Sequence, residues 1–328
     1  MANFSLLLWA VIPPLVLLWF YYRRTPAAPP LLNLLLLFII GAVSGFAALG
    51  LEWTVEIGLN SVVDWQQIQR SILGVALRQI LEIAIIEEGC KLAAVVLAIC
   101  YLQRRYYLRA TTVFIFTIAV TLGFTAEENW IYLSHGTSSI LERSIGTPVH
   151  TMFSAPWGYA LGIYISSTRR LNRDSQLITK AWLNAVFFHG LVNVLSKAWG
   201  FPQPIKFLGY GLFPLLLWMF WRLEQLLRRV QGRRVITLIS GYTPLARYWQ
   251  RTLILFILLL GGNAIFGLFL LARKLSPLRW EQLFEADILS FILKQIVLNL
   301  FLGISSWLIY RYLRYLAGHR YFLKLGKY

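Results

Sequence analysis

Long apolar stretches separated by short polar connections run through most of this chain. Stretches such as 4–22, 31–52 and 252–272 approach or exceed the roughly 20 residues that a helix needs to cross a bilayer. We therefore predict an all-α, polytopic transmembrane helical bundle. About nine spans are expected, at 4–22, 31–52, 78–102, 110–133, 148–168, 178–198, 206–224, 252–272 and 288–310.

Three local patterns refine this prediction. Residues 64–76, within an outer segment 53–77, predict an interfacial helix that leads into the third span. Thr147-Pro148 is typical of a helix start, which would place His150 in the first turn of its span. The Arg-rich, aromatic-flanked segment 222–251 predicts a helix on the membrane surface.

The expected domain organisation follows from where the polar motifs lie. We predict a core at 1–225, with its motifs between residues 87 and 193, a basic cytoplasmic connection at 226–251, and a C-terminal transmembrane pair of unknown role at 252–328.

The charge of the chain has a topological pattern. Only 14% of the residues are charged, whereas an ordinary soluble domain has about 25%. The net charge of +17 could indicate nucleic-acid binding, but the arginines fall in every second connection, as the positive-inside rule predicts. We therefore expect the N-terminus outside, the C-terminus in the cytoplasm, and anionic lipid rather than nucleic acid as the partner. The basic groups lie at 23–24, 104–109, 169–173, 228–234 and 311–314.

The two cysteines predict no disulfide. Cys90 and Cys100 fall on one predicted helix, where their rise of roughly 15 Å is too long for a bond.

Ionisable side chains within the apolar stretches are the candidate chemistry. A charge at mid-bilayer costs at least about 2.5–3.5 kcal/mol, so it is usually retained for function or for a partner. Each of four groups on separate spans lies 16–19 residues from a basic connection. At about 1.5 Å per residue, all four would lie in one layer in the outer leaflet. These groups are Glu87-Glu88-Gly89-Cys90-Lys91, Glu127-Glu128-Asn129, His150, and His189 with Asn193.

The spacing within each helix leaves two interpretations of the acidic pair open. Glu87 and Lys91 are four residues apart and can form an ion pair, whereas Glu88 points to a different neighbour. The pair either neutralises itself at a helix interface, or Lys91 orients one carboxylate while the other activates water. In the second group, Glu128 is expected to be more central than Glu127, which would face the outer interface.

The histidines also have structural and catalytic interpretations. His189 and Asn193 share a helix face, where they would either stabilise an oxyanion or tie two helices together. Gly190 would let another helix approach closely. Two histidines with one or two glutamates form a donor set for zinc, which makes a metal site possible at Glu88, Glu128, His150 and His189, although a metal-free mechanism is equally open.

At these positions the sequence resembles the PrsW family of intramembrane proteases, which is related to the CAAX prenyl endopeptidases. The resemblance covers roughly residues 30–225 and rests on four motifs in order. They are Glu87-Glu88-Gly89-Cys90-Lys91, Gly123-Phe124-Thr125-Ala126-Glu127-Glu128-Asn129, His150-Thr151-Met152-Phe153-Ser154 and Phe188-His189-Gly190-Leu191-Val192-Asn193.

The resemblance implies hydrolysis of a peptide bond in a membrane-anchored protein, with the first cut of an anti-sigma factor as the family's associated reaction. It also implies a bacterial plasma membrane and a metalloprotease classification. Glu88 or Glu87 would take the proton from the attacking water, and His150 or Glu128 would position that water. Lys91 and Asn129 would support these side chains. The alternatives are a non-catalytic scaffold of the same fold and an ion-coupled transporter, but the chain lacks the two related halves of the latter.

Overall fold

The chain is predominantly helical in the parts that its structure, a computed structural model, describes. These are residues 2–26, 28–68, 70–103, 107–167, 175–279 and 281–325, and no β-strand occurs among them. The all-α prediction is therefore confirmed. The helices are α1 (Ala2–Arg24), α2 (Leu31–Val62), α3 (Trp65–Ile68), α4 (Ile72–Leu77), α5 (Ala84–Leu102), α6 (Ala110–Ser134), α7 (Ile140–Ser166), α8 (Ser175–Lys197), α9 (Leu212–Val230), α10 (Pro244–Leu275) and α11 (Ala286–Leu325).

Six of these helices are long and apolar enough to cross a membrane, and the protein is an integral membrane protein. They comprise Phe4–Arg24, Leu31–Val62, Ala110–Ser134, Ser175–Gly200, Pro244–Leu275 and Ala286–Gly318. Composition alone does not identify α5 as a span, because it carries Glu87, Glu88 and Lys91 in 19 residues. The count of nine spans stays a prediction.

The orientation of the chain also stays a prediction. Arg104, Arg105, Arg169, Arg170 and Arg173, on which it depends in part, lie outside the described residues. The expectation for the cysteines is confirmed, since Cys90 and Cys100 are both free.

A π-helical turn joins α4 to α5. The turn, Arg78–Ile83, has the N–H of Ala84 bonded to the carbonyl of Gln79, five residues back. The helical segment formed by α4, the π-turn and α5 therefore starts at Ile72, before residue 78, where the span was predicted to begin. The predicted interfacial helix at 64–76 is divided between α3 and α4. π-turns occur frequently beside functional sites, and this one ends four residues before Glu87.

Helix α7 begins eight residues before the predicted start at Pro148. Ser139 accepts a hydrogen bond from the N–H of Glu142, and the Glu142 side chain accepts one from the N–H of Ser139. This capping box starts the helix at Ile140, because it satisfies two N-terminal N–H groups reciprocally. The expectation that His150 lies in the first turn is therefore wrong.

The predicted surface helix at 222–251 is also wrong. Helix α9 continues from its apolar part to Val230 and is followed by Gly232 at φ 66°. This left-handed conformation favours glycine and ends the helix. Thr243 then caps α10 by accepting a hydrogen bond from Ala246, with Pro244 in the first turn. Helix α2 also differs from the prediction, because it continues to Val62, into the predicted outer segment 53–77.

The chain divides into two compact units. The first comprises Met1–Phe201 with Phe220–Arg234, and the second comprises Pro202–Met219 with Val235–Tyr328. All four motif groups lie in the first unit.

Helix α6 forms the centre of the first unit. Every residue from 113 to 127 is buried, as expected for a helix that is apolar on all sides. It packs against α1, α2, α5 and α7. Gly41 of α2 faces the carbonyl of Val120, and Gly123 of α6 faces the carbonyl of Phe38. A Cβ at either glycine would overlap these backbone atoms, so both glycines are needed for the close packing of α2 on α6.

Candidate active site

Lys91 holds both carboxylates of the acidic pair on α5. Its Nζ lies 3.0 Å from Glu87 Oε2 and 2.9 Å from Glu88 Oε1, and the lysine is fully buried. The predicted Glu87–Lys91 ion pair is confirmed. Lys91 does not favour one carboxylate over the other, so the two glutamates differ only in their remaining partners.

The histidines of α7 and α8 contact this pair from two sides. His150 Nδ1 lies 3.2 Å from Lys91 Nζ and 3.9 Å from Glu87 Oε2. His189 Nδ1 lies 3.2 Å from Glu88 Oε1, and its Nε2 lies 3.8 Å from Glu87 Oε2. Glu87 Oε2 therefore faces both imidazoles.

Glu128 of α6 completes the cluster. Its Oε2 lies 2.7 Å from His150 Nε2. The four predicted groups therefore converge, through contacts between α5, α6, α7 and α8. Their convergence agrees with the common layer expected from the sequence, and their catalytic roles stay predictions.

The contacts of each imidazole favour one position for its proton. Lys91 Nζ can only donate, so His150 Nδ1 accepts and Nε2 carries the hydrogen that faces Glu128. At His189, Nδ1 donates to Glu88 and leaves the lone pair of Nε2 directed towards Glu87. Each imidazole therefore has one nitrogen beside the carboxylate of Glu88 or Glu128, and its other nitrogen faces Glu87.

Aromatic side chains pack against the cluster and restrict its rings. Phe153 stacks on His189, with ring centroids 4.4 Å apart and an interplanar angle of 12°. Lys91 Nζ lies 4.1 Å from the ring centroid of Phe124, a cation–π contact. Because most side chains of the cluster are buried, their electrostatic interactions are stronger than they would be in water.

Arg143 of α7 forms an ion pair with Glu128, at one end of the cluster. Its guanidinium lies 3.0 Å from Glu128 Oε2, and its Nε donates to Asn129 Oδ1 at 2.7 Å. Asn129 in turn donates to Thr147 Oγ1 at 3.3 Å. The predicted supporting residue Asn129 thus holds the arginine that pairs with Glu128.

Sequence reasoning missed Arg143 and Trp157 and gave Ser154 no role. Ser154 Oγ and Trp157 Nε1 donate to Glu88 Oε2 at 2.9 and 3.0 Å. The signal that could have found them is a helical stripe on α7, because residues spaced by four and three positions share a face. Its members are Arg143, Thr147, His150, Ser154 and Trp157.

Gly190 allows the close approach that was expected of it. A Cβ there would overlap the side chain and Cα of Ile80, within the π-helical turn. Asn193, one helical turn beyond His189, is half-buried. No hydrogen bond joins its side chain to the described residues of the cluster, so its role in stabilising an oxyanion stays a prediction.

Glu127 lies on a different side of α6 from Glu128. It is buried, and its carboxylate fills the space beside Gly45 of α2. Its Oε1 has no hydrogen-bond partner among the described residues. The expectation that it faces the outer interface is therefore wrong.

Three groups of the cluster are arranged as metal ligands would be. One donor atom each from Glu87, His150 and His189 can be chosen so that all lie within 4.8 Å of one another, and all three residues are buried. This set contains Glu87 in place of the predicted Glu88 and Glu128. Because Glu88 and Glu128 bind the far nitrogens of the two imidazoles, they occupy the places that orienting carboxylates take in metal sites.

The sequence model described as PrsW family intramembrane metalloprotease matches residues 29–220. This range contains every group of the cluster. No curated protein and no solved structure matches the chain.

Proposed function

The chain belongs to the PrsW family of intramembrane metalloproteases, and we propose that it hydrolyses a peptide bond of a membrane-anchored protein at the Glu87–His150–His189 cluster. The observation that carries this proposal is the approach of these three buried groups to within 4.8 Å from three helices. Burying a carboxylate and two imidazoles inside a hydrophobic bundle costs free energy, so such groups are usually retained because they bind a ligand or take part in a reaction.

The donor set fits a metal ion. Glu87, His150 and His189 would hold it, in the two-histidine, one-glutamate combination of known zinc hydrolases. A metal ion bound there would supply Lewis acidity, which makes bound water acidic enough to attack a carbonyl near neutral pH. The fit rests on the two imidazoles, each of which has its far nitrogen on a carboxylate as metal-bound histidines usually do. A metal at His150 Nδ1 would replace the hydrogen bond from Lys91 Nζ.

If the cluster works without a metal, we propose that Glu87 takes the proton from the attacking water; with a metal bound, Glu87 is its ligand. Its Oε2 faces both imidazoles, whereas both oxygens of Glu88 already accept hydrogen bonds. Lys91 holds the Glu87 carboxylate in this orientation at 3.0 Å. Of the two bases that the sequence left open, Glu88 and Glu87, we therefore propose Glu87.

The oxyanion would be stabilised from α8. His189 donates Nδ1–H to Glu88, so its Nε2 can donate to an oxyanion only if the ring gains a second proton. The Asn193 side chain has an amide that donates without any proton uptake. We therefore propose Asn193 as the donor to the oxyanion, with His189 beside it.

The substrate would be cut near the outer leaflet of the plasma membrane. Support comes from the arginines in every second connection, which favour an outer position for the cluster. A first cut in an anti-sigma factor, on its outer side, agrees with this placement. We propose this substrate class on the family resemblance.

The proposal is tested by mapping new N-termini of membrane proteins in the native host. Cells expressing the wild-type chain are compared with cells expressing Glu87→Gln at equal abundance, using mass spectrometry of the membrane fraction. We expect a single-span protein that is cut beside its transmembrane helix only by the wild type, and that accumulates uncut with Glu87→Gln. Identical N-termini in the two strains would end the protease assignment of this cluster.

A further inference from the structure

Glu88 is the most fully hydrogen-bonded carboxylate of the cluster. Its Oε1 accepts from Lys91 Nζ at 2.9 Å and faces His189 Nδ1 at 3.2 Å, and its Oε2 accepts from Ser154 Oγ at 2.9 Å and Trp157 Nε1 at 3.0 Å. A carboxylate offers about four acceptor positions. All of them are taken, and the residue is fully buried, so Glu88 has no position left for water.

The two donors to Oε2 come from one face of α7. Ser154 and Trp157 follow His150 by four and seven residues, so the three side chains are aligned along the helix. Both donors are fully buried. The face of α7 that supplies one imidazole to the cluster therefore also holds the carboxylate that binds the other imidazole.

The hydroxyl of Ser154 is unusual among those of the first unit. Hydroxyls in helices commonly bond to a carbonyl of their own helix, as those of Ser44, Thr125 and Thr151 do here. Ser154 Oγ donates instead to a side chain of another helix. Its hydrogen bond is therefore directed at Glu88 and is not required by α7.

The indole of Trp157 shows the same difference. Trp182 has a buried Nε1 without a hydrogen-bond partner among the described residues. A buried indole nitrogen thus occurs among the described residues without an acceptor, whereas that of Trp157 donates to Glu88 at 3.0 Å.

We propose that Ser154 and Trp157 are positioning residues that fix Glu88 and, through its other oxygen, the ring of His189. This inference rests on the proposed function. Without the two donors to Oε2, the Glu88 carboxylate can turn about its side-chain bonds. His189 Nδ1 would follow it, and the 3.8 Å separation between His189 Nε2 and Glu87 Oε2 would no longer be maintained.

The activity test compares Ser154→Ala and Trp157→Phe in the purified full-length protein, using the substrate identified by the N-terminal mapping. Ser154→Ala removes one oxygen atom, and Trp157→Phe removes the donor while it keeps an aromatic ring. We expect kcat to fall about 10- to 100-fold with KM unchanged, because a misplacement of about 1 Å can cost a factor of about 100. The matched controls are Ser44→Ala and Trp182→Phe, which remove a buried hydroxyl and a buried indole N–H that are not bonded to Glu88.

A second measurement separates hydrogen bonding from simple packing. Thermal unfolding of each variant is followed in the wild-type and in the Glu88→Gln background. We expect Ser154→Ala and Trp157→Phe to lower Tm more in the wild type, because only there do they leave a buried carboxylate without its donors. A cavity left by Trp157→Phe would lower Tm equally in both backgrounds, and Ser154→Ala leaves almost none.

Two results would overturn the proposal. One is an unchanged kcat for both variants, and the other is an equal loss of Tm in the two backgrounds. If Ser154→Ala and Trp157→Phe cleave normally while Glu87→Gln does not, the positioning role fails and the protease assignment stands. If Glu87→Gln also cleaves normally, the proposed function itself fails.

Discussion

At the scale of single residues, the cluster is built from two carboxylate–imidazole pairs around one further carboxylate. Glu88 binds His189 and Glu128 binds His150, at 3.2 and 2.7 Å. Glu87 faces the inner nitrogens of both rings. The three glutamates are chemically identical, so their different roles follow from their neighbours.

We predict that Glu128→Gln lowers substrate cleavage about 10- to 100-fold, the usual cost of losing a carboxylate that orients a metal-binding histidine. The amide removes the charge that pairs with Arg143 and faces His150. Glu127→Gln is the matched control, because it changes an adjacent buried glutamate that lies beside Gly45. Cleavage is measured at equal protein abundance, and an equal loss in both variants would contradict this role of Glu128.

At the scale of secondary-structure elements, the π-helical turn before α5 is the distinctive feature. It places the backbone of Ile80 directly against Gly190 of α8, next to His189. The same helix that carries Glu87 and Glu88 is thus packed closely against the helix that carries one of their imidazoles.

We predict that Gly190→Ala destabilises the protein by about 1–3 kcal/mol, the usual cost of forcing atoms into a packed core. The new Cβ would overlap Ile80, whose Cα lies 2.8 Å from its ideal position. Gly89→Ala is the control, because a Cβ there meets nothing within 4 Å. Alanine also favours a helix by roughly 0.5–1 kcal/mol over glycine. Thermal unfolding in detergent checks both variants, and equal Tm values would contradict the close packing.

At the scale of the whole molecule, the location of the cluster relative to the membrane decides which substrates it can reach. All four helices of the cluster belong to the first unit, whose buried centre is α6. The positive-inside pattern of the sequence predicts that the connection between α6 and α7 lies outside.

We predict that a cysteine at Thr137, in this exposed connection, reacts with a membrane-impermeant maleimide in intact cells. A cysteine at Arg233, in the exposed segment after α9, should react only after permeabilisation. Both are introduced into a chain without Cys90 and Cys100, the two natural thiols. The reverse labelling would place the cluster nearer the cytoplasmic leaflet and would exclude a first cut on the outer side.

The sequence alone determined the helical class, the free cysteines, the family and the four groups of the cluster. These properties depend on runs of apolar residues, on spacing within one helix and on local motifs, which a single chain displays directly. Glu87 and Lys91 illustrate this, because four residues along one helix fix their proximity wherever the helix lies. The start of α7 was predictable in principle, since the capping box at Ser139 is local, but Pro148 gave a competing signal.

Only the tertiary structure decided which carboxylate binds which imidazole. Glu88 and His189 lie on separate helices 101 residues apart, and their contact depends on how each helix is rotated about its axis. The sequence pattern shows the period of a helix but not this rotation. The π-helical turn also changes the rotation of α5 about its axis relative to α4. For the same reason, Ser154 and Trp157 became visible as partners of Glu88, and Glu127 as a residue facing α2, only when the helices were packed together.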